Sequence, residues 1–383
     1  MTMYTEPSPM RSSVCLSNDW PLKSSPASSR PRSLGAICLL AVIASVALIG
    51  TGDGFAQVSR TKLPPQSAIV DGNSAADRVL ATNAPAYHAL LEGRVDEAQT
   101  LLNTTLVQNP GDAIAHQLLC RVFYAQDQAD AAIYQCELAA AADPRSSENQ
   151  LWLGRTYGMK ARHAGPLAGF ALARKVRASF EAATRLNPAN VAALSDLGEY
   201  YVAAPSIVGG GADKLQALAS RMMPQFPSAA HRLLAWLAES NKDLATAEAE
   251  FRLAVSTQRG ADDRTAAEAW IDLAQFYQSH SRPDDALAAI KSGLAADRTH
   301  GPVLVDAASI LTAAHRNPEL AEHCLRDYLA SRAKSDAAPA FKVHLQLSTL
   351  LAARGDANDA TKEVASATAL APSFSRIRHS QGS

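Results

Sequence analysis

One spacing constrains this chain more than any other feature. Pro110 and Pro144 lie 34 residues apart, and each closes a segment that runs alanine, apolar, small, proline: Ala98, Leu102, Thr105, Pro110, then Ala132, Cys136, Ala139, Pro144. Later copies keep most of it, as Phe180, Ala183 and Pro188, as Ala247, Phe251 and Ala254, and as Ala360, Val364, Ala367 and Pro372. Between them recurs a leucine and a small residue with an aromatic further on: Leu119-Cys120 with Phe123, Leu153-Gly154 with Tyr157, Leu197-Gly198 with Tyr201, Leu273-Ala274 with Tyr277. Spacings of three and four put such side chains on one helical face. The small residues let two helices approach. The proline ends the second helix, because it lacks an N–H and restricts the residue before it. Gly93 and Gly355 fall where such a hairpin turns. A single hairpin cannot bury its apolar face, so the pattern demands a stack in which neighbours supply the core. An apolar share of 47% with 19% charged residues excludes global disorder.

Trp270 precedes Leu273 by three residues, which completes the string, and both halves of the unit resemble the tetratricopeptide repeat (TPR) family. The resemblance covers 79–375 and implies an all-α fold, a right-handed α-solenoid of about eight helix pairs. The pairs fall near 79–112, 113–146, 147–190, 191–229, 230–262, 263–300, 301–338 and 339–375, with the first, fifth and seventh degenerate.

The segment ahead of the repeats reads as an address. Residues 1–33 are rich in Ser and Pro and carry Arg11, Lys23, Arg30 and Arg32; 34–50 is a run of 17 residues without a charge. Gly54 and Ala56 then flank Phe55 ahead of a cut at Gln57. A basic region, a short apolar run and a small-x-small site are the parts of a secretory signal. The run is slightly shorter than the ~20 residues of a spanning helix. Residues 1–56 are therefore expected to be a signal peptide or, if retained, an N-terminal membrane anchor. Residues 57–78 read as a flexible linker and 376–383 as a disordered tail. The expected location is the periplasm, free or anchored in the inner membrane, with the membrane touched only through a retained anchor. A net charge of -1 argues against a nucleic-acid partner.

Two insertions break the period at the same place in consecutive units. Pro144 to Pro188 spans 44 residues, with the excess near 158–174, and Pro188 to Pro227 spans 39, with the excess near 203–213. Insertions on one face of a solenoid are candidate binding features. The first is basic, with Lys160, Arg162, Arg174, Lys175 and Arg177, and suits an acidic protein, a lipid headgroup or a polyanion; a lengthened helix with a solvated face fits as well. The second holds Gly209-Gly210-Gly211, but Lys214 is followed by Leu215, so it is not a phosphate-binding P-loop; a tight turn is expected. The insert resembles one seen in uncharacterised bacterial TPR proteins, which implies no activity.

No catalytic, metal or cofactor motif is found. His116, His231 and His344 recur near the start of first helices and read as packing or inter-repeat residues. Cys120 and Cys136 occupy facing positions of one hairpin, which admits either a disulfide or two buried thiols; Cys324 is then left over. What remains is recognition. The resemblance implies a ligand-binding concave face lined by first helices: Gln117, Arg121, Tyr124, Leu151, Arg155, Ser195, Glu199, Arg232, Trp236, Glu239, Ile271 and Gln275. Arginines, aromatics and amides suit an extended peptide, whereas the Lys and Asn set of the family's chaperone-tail clamp has no counterpart here. The expected function is a non-enzymatic scaffold or adaptor for a protein or peptide partner in the bacterial cell envelope. The alternative is an accessory or solute-binding subunit of an envelope transport system. Arg121→Glu with Trp236→Ala is the expected probe of the face.

Overall fold

The computed structural model describes residues 75–257 and 263–374, and side chains from Thr82 to Thr257 and from Ala266 to Phe374. The address segment, most of the linker and the tail lie outside the described residues. Sixteen α-helices follow one another as eight antiparallel pairs, with no strand among the described residues. The pairs are α1 (Ala75–Leu91) with α2 (Val95–Gln108), α3 (Ala113–Ala125) with α4 (Ala129–Ala142), α5 (Ser147–Ala161) with α6 (Pro166–Leu186), and α7 (Val191–Ala203) with α8 (Ala212–Met222). They continue as α9 (Pro227–Ser240) with α10 (Leu244–Ser256), α11 (Asp263–Ser279) with α12 (Pro283–Ala296), α13 (Val303–Ala313) with α14 (Pro318–Ala330), and α15 (Ala340–Ala353) with α16 (Ala357–Leu370). Helix α1 takes in the last four residues of the 57–78 stretch, where Ala75-Ala76 favours it.

The repeated residues make the repeated geometry. Ala98, Leu102, Ala132, Cys136, Ala139, Phe180, Ala183, Ala247, Phe251, Ala254, Ala360 and Ala367 are all buried. Two residues after each recurring proline sits the N-cap of the next pair. Asp112 accepts from the Ile114 and Ala115 amides, Ser146 from the Asn149 amide and Asn190 from the Ala193 amide. The string's tyrosines stitch each pair to the one before: Tyr157 donates to Glu137, Tyr201 to Glu181 and Tyr277 to Glu248. Gly154 lies against the Phe180 ring of its own second helix, as the pattern predicts. Gly198 instead lies against Leu233 of the next pair's α9, so its smallness serves stacking between pairs.

Each first helix from α1 to α11 packs on the first helix of the next pair, and no comparable contact joins two second helices. The row therefore curves with first helices inside. It also closes on itself. Phe341, Ala367, Ala371 and Phe374 from the last pair share one buried cluster with Ala86, Leu90, Val95 and Leu102 from the first. The turn at Gly93 has φ +79°, and a Cβ there would stand 2.9 Å from the Ala340 nitrogen, so both conformation and closeness require glycine. Lys334 pairs with Glu92 at 3.2 Å and Lys342 with Asp127 at 2.8 Å, while the Ser373 amide donates to Asp96. Nothing in a nearest-neighbour repeat pattern announces this closure.

Candidate partner-binding face

The expected arginines lie on first helices, and the structure commits them to the fold. Arg155 of α5 is 1% exposed and pairs with Asp196 of α7, Nε to Oδ2 at 2.6 Å. Arg232 of α9 is buried and pairs with Asp272 of α11. Each pair bridges consecutive first helices from the inside. Arg121 reaches across the closure, donating from Nε and Nη2 to the two carboxylate oxygens of Asp336 at 2.7 and 3.0 Å. Burial opposes the charge on Arg121 and on Arg155, but the facing carboxylates outweigh it, so both remain cations. Tyr87 and Trp152 belong to the same framework. Arg121 lies over Tyr87 and Trp152, at 5.2 and 5.1 Å from the ring centroids, and Arg155 covers Trp152 at 4.9 Å. Arg232 lies over Trp236, and Tyr124 meets Trp152 edge-on.

Of the residues expected on the concave face, Gln117, Leu151, Arg155, Arg232 and Ile271 are buried and present nothing to a partner. Arg121 is part-buried and structural. Tyr124, Ser195, Glu199, Trp236 and Glu239 are half-buried, and Gln275 is exposed. Glu239 accepts from His280, the residue that follows α11. The side chains open to a partner thus concentrate on α7, α9 and α11. Asp336, Asp196 and Asp272 are the functional-looking residues that sequence reasoning missed. For Asp336 a signal exists: the α14–α15 connection runs nine residues, against four between α2 and α3. It is strapped down by the buried Tyr328 hydroxyl, which accepts from the Ser335 amide and donates to the Ala338 carbonyl.

The first insertion becomes helix rather than loop. Helices α5 and α6 have 15 and 21 residues, against 13 and 14 in α3 and α4. Lys160 pairs with Asp130, Lys175 with Glu137 and Arg177 with Glu181, whereas Arg162 and Arg174 make no ion pair among the described residues. The second insertion forms a short 3-10 turn, Ser206–Val208, and then the three glycines. Gly209 is covered by Arg177, the Gly210 and Gly211 amides donate to the Pro205 and Tyr201 carbonyls, and Lys214 donates to the Gly209 carbonyl. Burial, with Glu181 alongside, pushes the Tyr201 hydroxyl up to about 12. The glycines build a turn.

Cys120 and Cys136 are joined as a disulfide. Cys324 is a buried thiol, and burial pushes it up to about 11. His116, His231 and His344 each bond a residue of their own second helix, Gln135, Glu250 and Glu363, at 2.6–2.7 Å. All three tie their own pair, and His116 also bonds the Pro110 carbonyl of the preceding pair at 3.0 Å.

No family model matches the sequence, and no curated protein matches it. Solved structures do match. A thermophilic TPR protein of Thermus thermophilus is 21% identical, with 62% of this chain and 100% of that chain covered, at a TM-score of 0.39. A tetratricopeptide repeat protein of Parabacteroides merdae is 13% identical over 69% of this chain and 98% of its own, at 0.40. Yeast Tom70 is 15% identical over 82% of this chain and 64% of its own, at 0.47. It is the chain's own recurring residues, and the eight packed hairpins they make, that give it a tetratricopeptide-like solenoid fold.

Proposed function

We propose that this chain is a non-enzymatic scaffold that holds an extended protein or peptide segment on its inner face, between α7 and α11. The observation that carries the reading is the register of Ser195, Glu199, Trp236, Glu239 and Gln275. They stand on successive first helices, half-buried or exposed, while the arginines beside them are consumed internally. Such a row offers an aromatic anchor flanked by carboxylates and an amide. It suits a segment with an apolar side chain near basic or amide groups. We further propose that it works after export, in the cell envelope. The disulfide supports this, since such bonds persist in oxidising compartments, as does the signal-like segment at 1–56.

Arg121 is unsuitable as a probe, because changing it would also break the closure. Trp236→Ala with Gln275→Ala tests the face instead. The full chain, crosslinked in an envelope extract of the source cells, is expected to retain a discrete protein that the double variant loses, with helicity unchanged. Equal capture by both would refute the proposed face. Thermal stabilisation by small solutes, with no protein retained, would favour the solute-binding alternative.

A further inference from the structure

The two insertions meet on one edge and hold apolar side chains outward. In the first, Gly165, Pro166, Leu167 and Ala168 are exposed, and Leu167 is 90% so. Pro166 opens α6, so Leu167 stands in an ordered first turn. In the second, Ile207 is 75% exposed on the 3-10 turn, which packs against α6. That turn is pinned from both sides: Tyr200 donates to the Val208 carbonyl at 2.8 Å, and Lys214 donates to the Gly209 carbonyl at 2.9 Å. Ile207 is therefore projected by a built turn and does not collapse onto the surface.

The exposed charge carried by α6 itself is basic, while Asp130 and Glu137 of α4 answer Lys160 and Lys175 and Asp213 is exposed beyond the turn. Along α6 the exposed positions are Pro166, Leu167, Ala168, Ala171, Arg174, Lys175, Ala178, Arg185 and Leu186, with no acid among them; Glu181, the helix's one acid, is half-buried and faces Arg177 and Tyr201. Arg162 at the hairpin tip, Arg174 and Arg185 make no ion pair among the described residues. A helix face that is small, apolar and basic, ending in a projecting leucine and flanked by a projecting isoleucine, matches a negatively charged bilayer surface. Acyl chains accept projecting apolar side chains without a shaped pocket, and anionic headgroups meet the arginines. A protein partner would more readily engage a groove or pocket than isolated projections.

We infer that the edge formed by α6 and the Ser206–Val208 turn is a peripheral docking site for an anionic membrane surface, independent of any N-terminal anchor. The test is flotation of the full chain with vesicles of phosphatidylcholine alone and with vesicles that also contain phosphatidylglycerol. Any binding through the N-terminal segment, including the anionic preference of Arg11, Lys23, Arg30 and Arg32, is common to every variant, so the difference between wild type and variants on anionic vesicles reads the edge. Wild type is expected to prefer the anionic vesicles by roughly 30- to 160-fold at low salt, two or three arginines contributing. Leu167→Asp with Ile207→Asp, and separately Arg162→Ser with Arg174→Ser, should each abolish most of that preference without changing helicity. Absence of a preference in wild type, or its undiminished survival in both variants, overturns the inference. So does loss of an acidic protein partner by the variants while lipid binding is unchanged, which would make the edge a protein surface.

Discussion

Arg155 and Asp196 show how much a single pair of side chains decides here. Both are buried, and each is tolerable only because of the other. Arg155→Ala should cost about 3–5 kcal/mol by leaving a buried carboxylate uncompensated. Replacing both, as Arg155→Met with Asp196→Leu, should recover most of that loss; chemical denaturation of the three proteins checks it. Equal instability of the single and double variants would mean that α5 and α7 need the charges themselves. At this scale the sequence told half the story. The arginines could be put on the inner helices from their repeat positions. Their partners could not be foreseen, because Asp196 and Asp272 fill a position where other repeats carry Leu118, Trp152 and Leu233. No spacing rule forecasts an acid where the unit has an apolar side chain.

At the scale of elements, the α3–α4 hairpin is the one joined covalently. Cys120 and Cys136 close a loop of 16 residues, so the cross-link restricts the unfolded chain and should contribute about 3 kcal/mol. Cys136→Ser, or reduction of the wild type, is expected to lower the Tm by several degrees. Cys324 should stay unmodified by a thiol reagent at pH 8 until the chain unfolds, because its thiol is buried and its pKa is raised to about 11. Alkylation followed by mass spectrometry reads both. The hairpins themselves were legible almost to their boundaries, since proline, cap and small residue recur in phase. The insertions were legible only as broken period. Whether ten extra residues extend a helix or form a loop depends on an apolar stripe, here Phe170, Ala173, Val176 and Phe180, that the repeat does not specify.

At the scale of the molecule, closure is the defining feature. Arg121 of the second pair binds Asp336 ahead of the last, and Phe341 and Phe374 of the last pair share a cluster with Ala86, Leu90 and Val95 of the first, so the two ends of the repeat row are joined. Asp336→Ala with Phe341→Ala should open that joint. Amide exchange would then rise in α1, α2, α15 and α16 well before the centre unfolds, whereas in the wild type these helices should exchange with the rest. Early exchange at both ends of the wild type would mean that the joint adds no cooperativity. A repeat signature could not foretell this contact, because it records what each unit wants from its neighbour and nothing about the ends.

Closure also turns repeat number into a boundary condition. An open solenoid can gain or lose a unit and only change length, provided its ends stay capped. Here the first and last pairs cap each other, so deleting one hairpin would leave a gap of roughly one helix-packing distance, about 10 Å. Inserting one would drive the ends past each other. Eight pairs, with this curvature, is a count that the geometry counts for itself. Variation in such a chain is then channelled away from whole repeats and into the hairpin tips, where the two insertions lie.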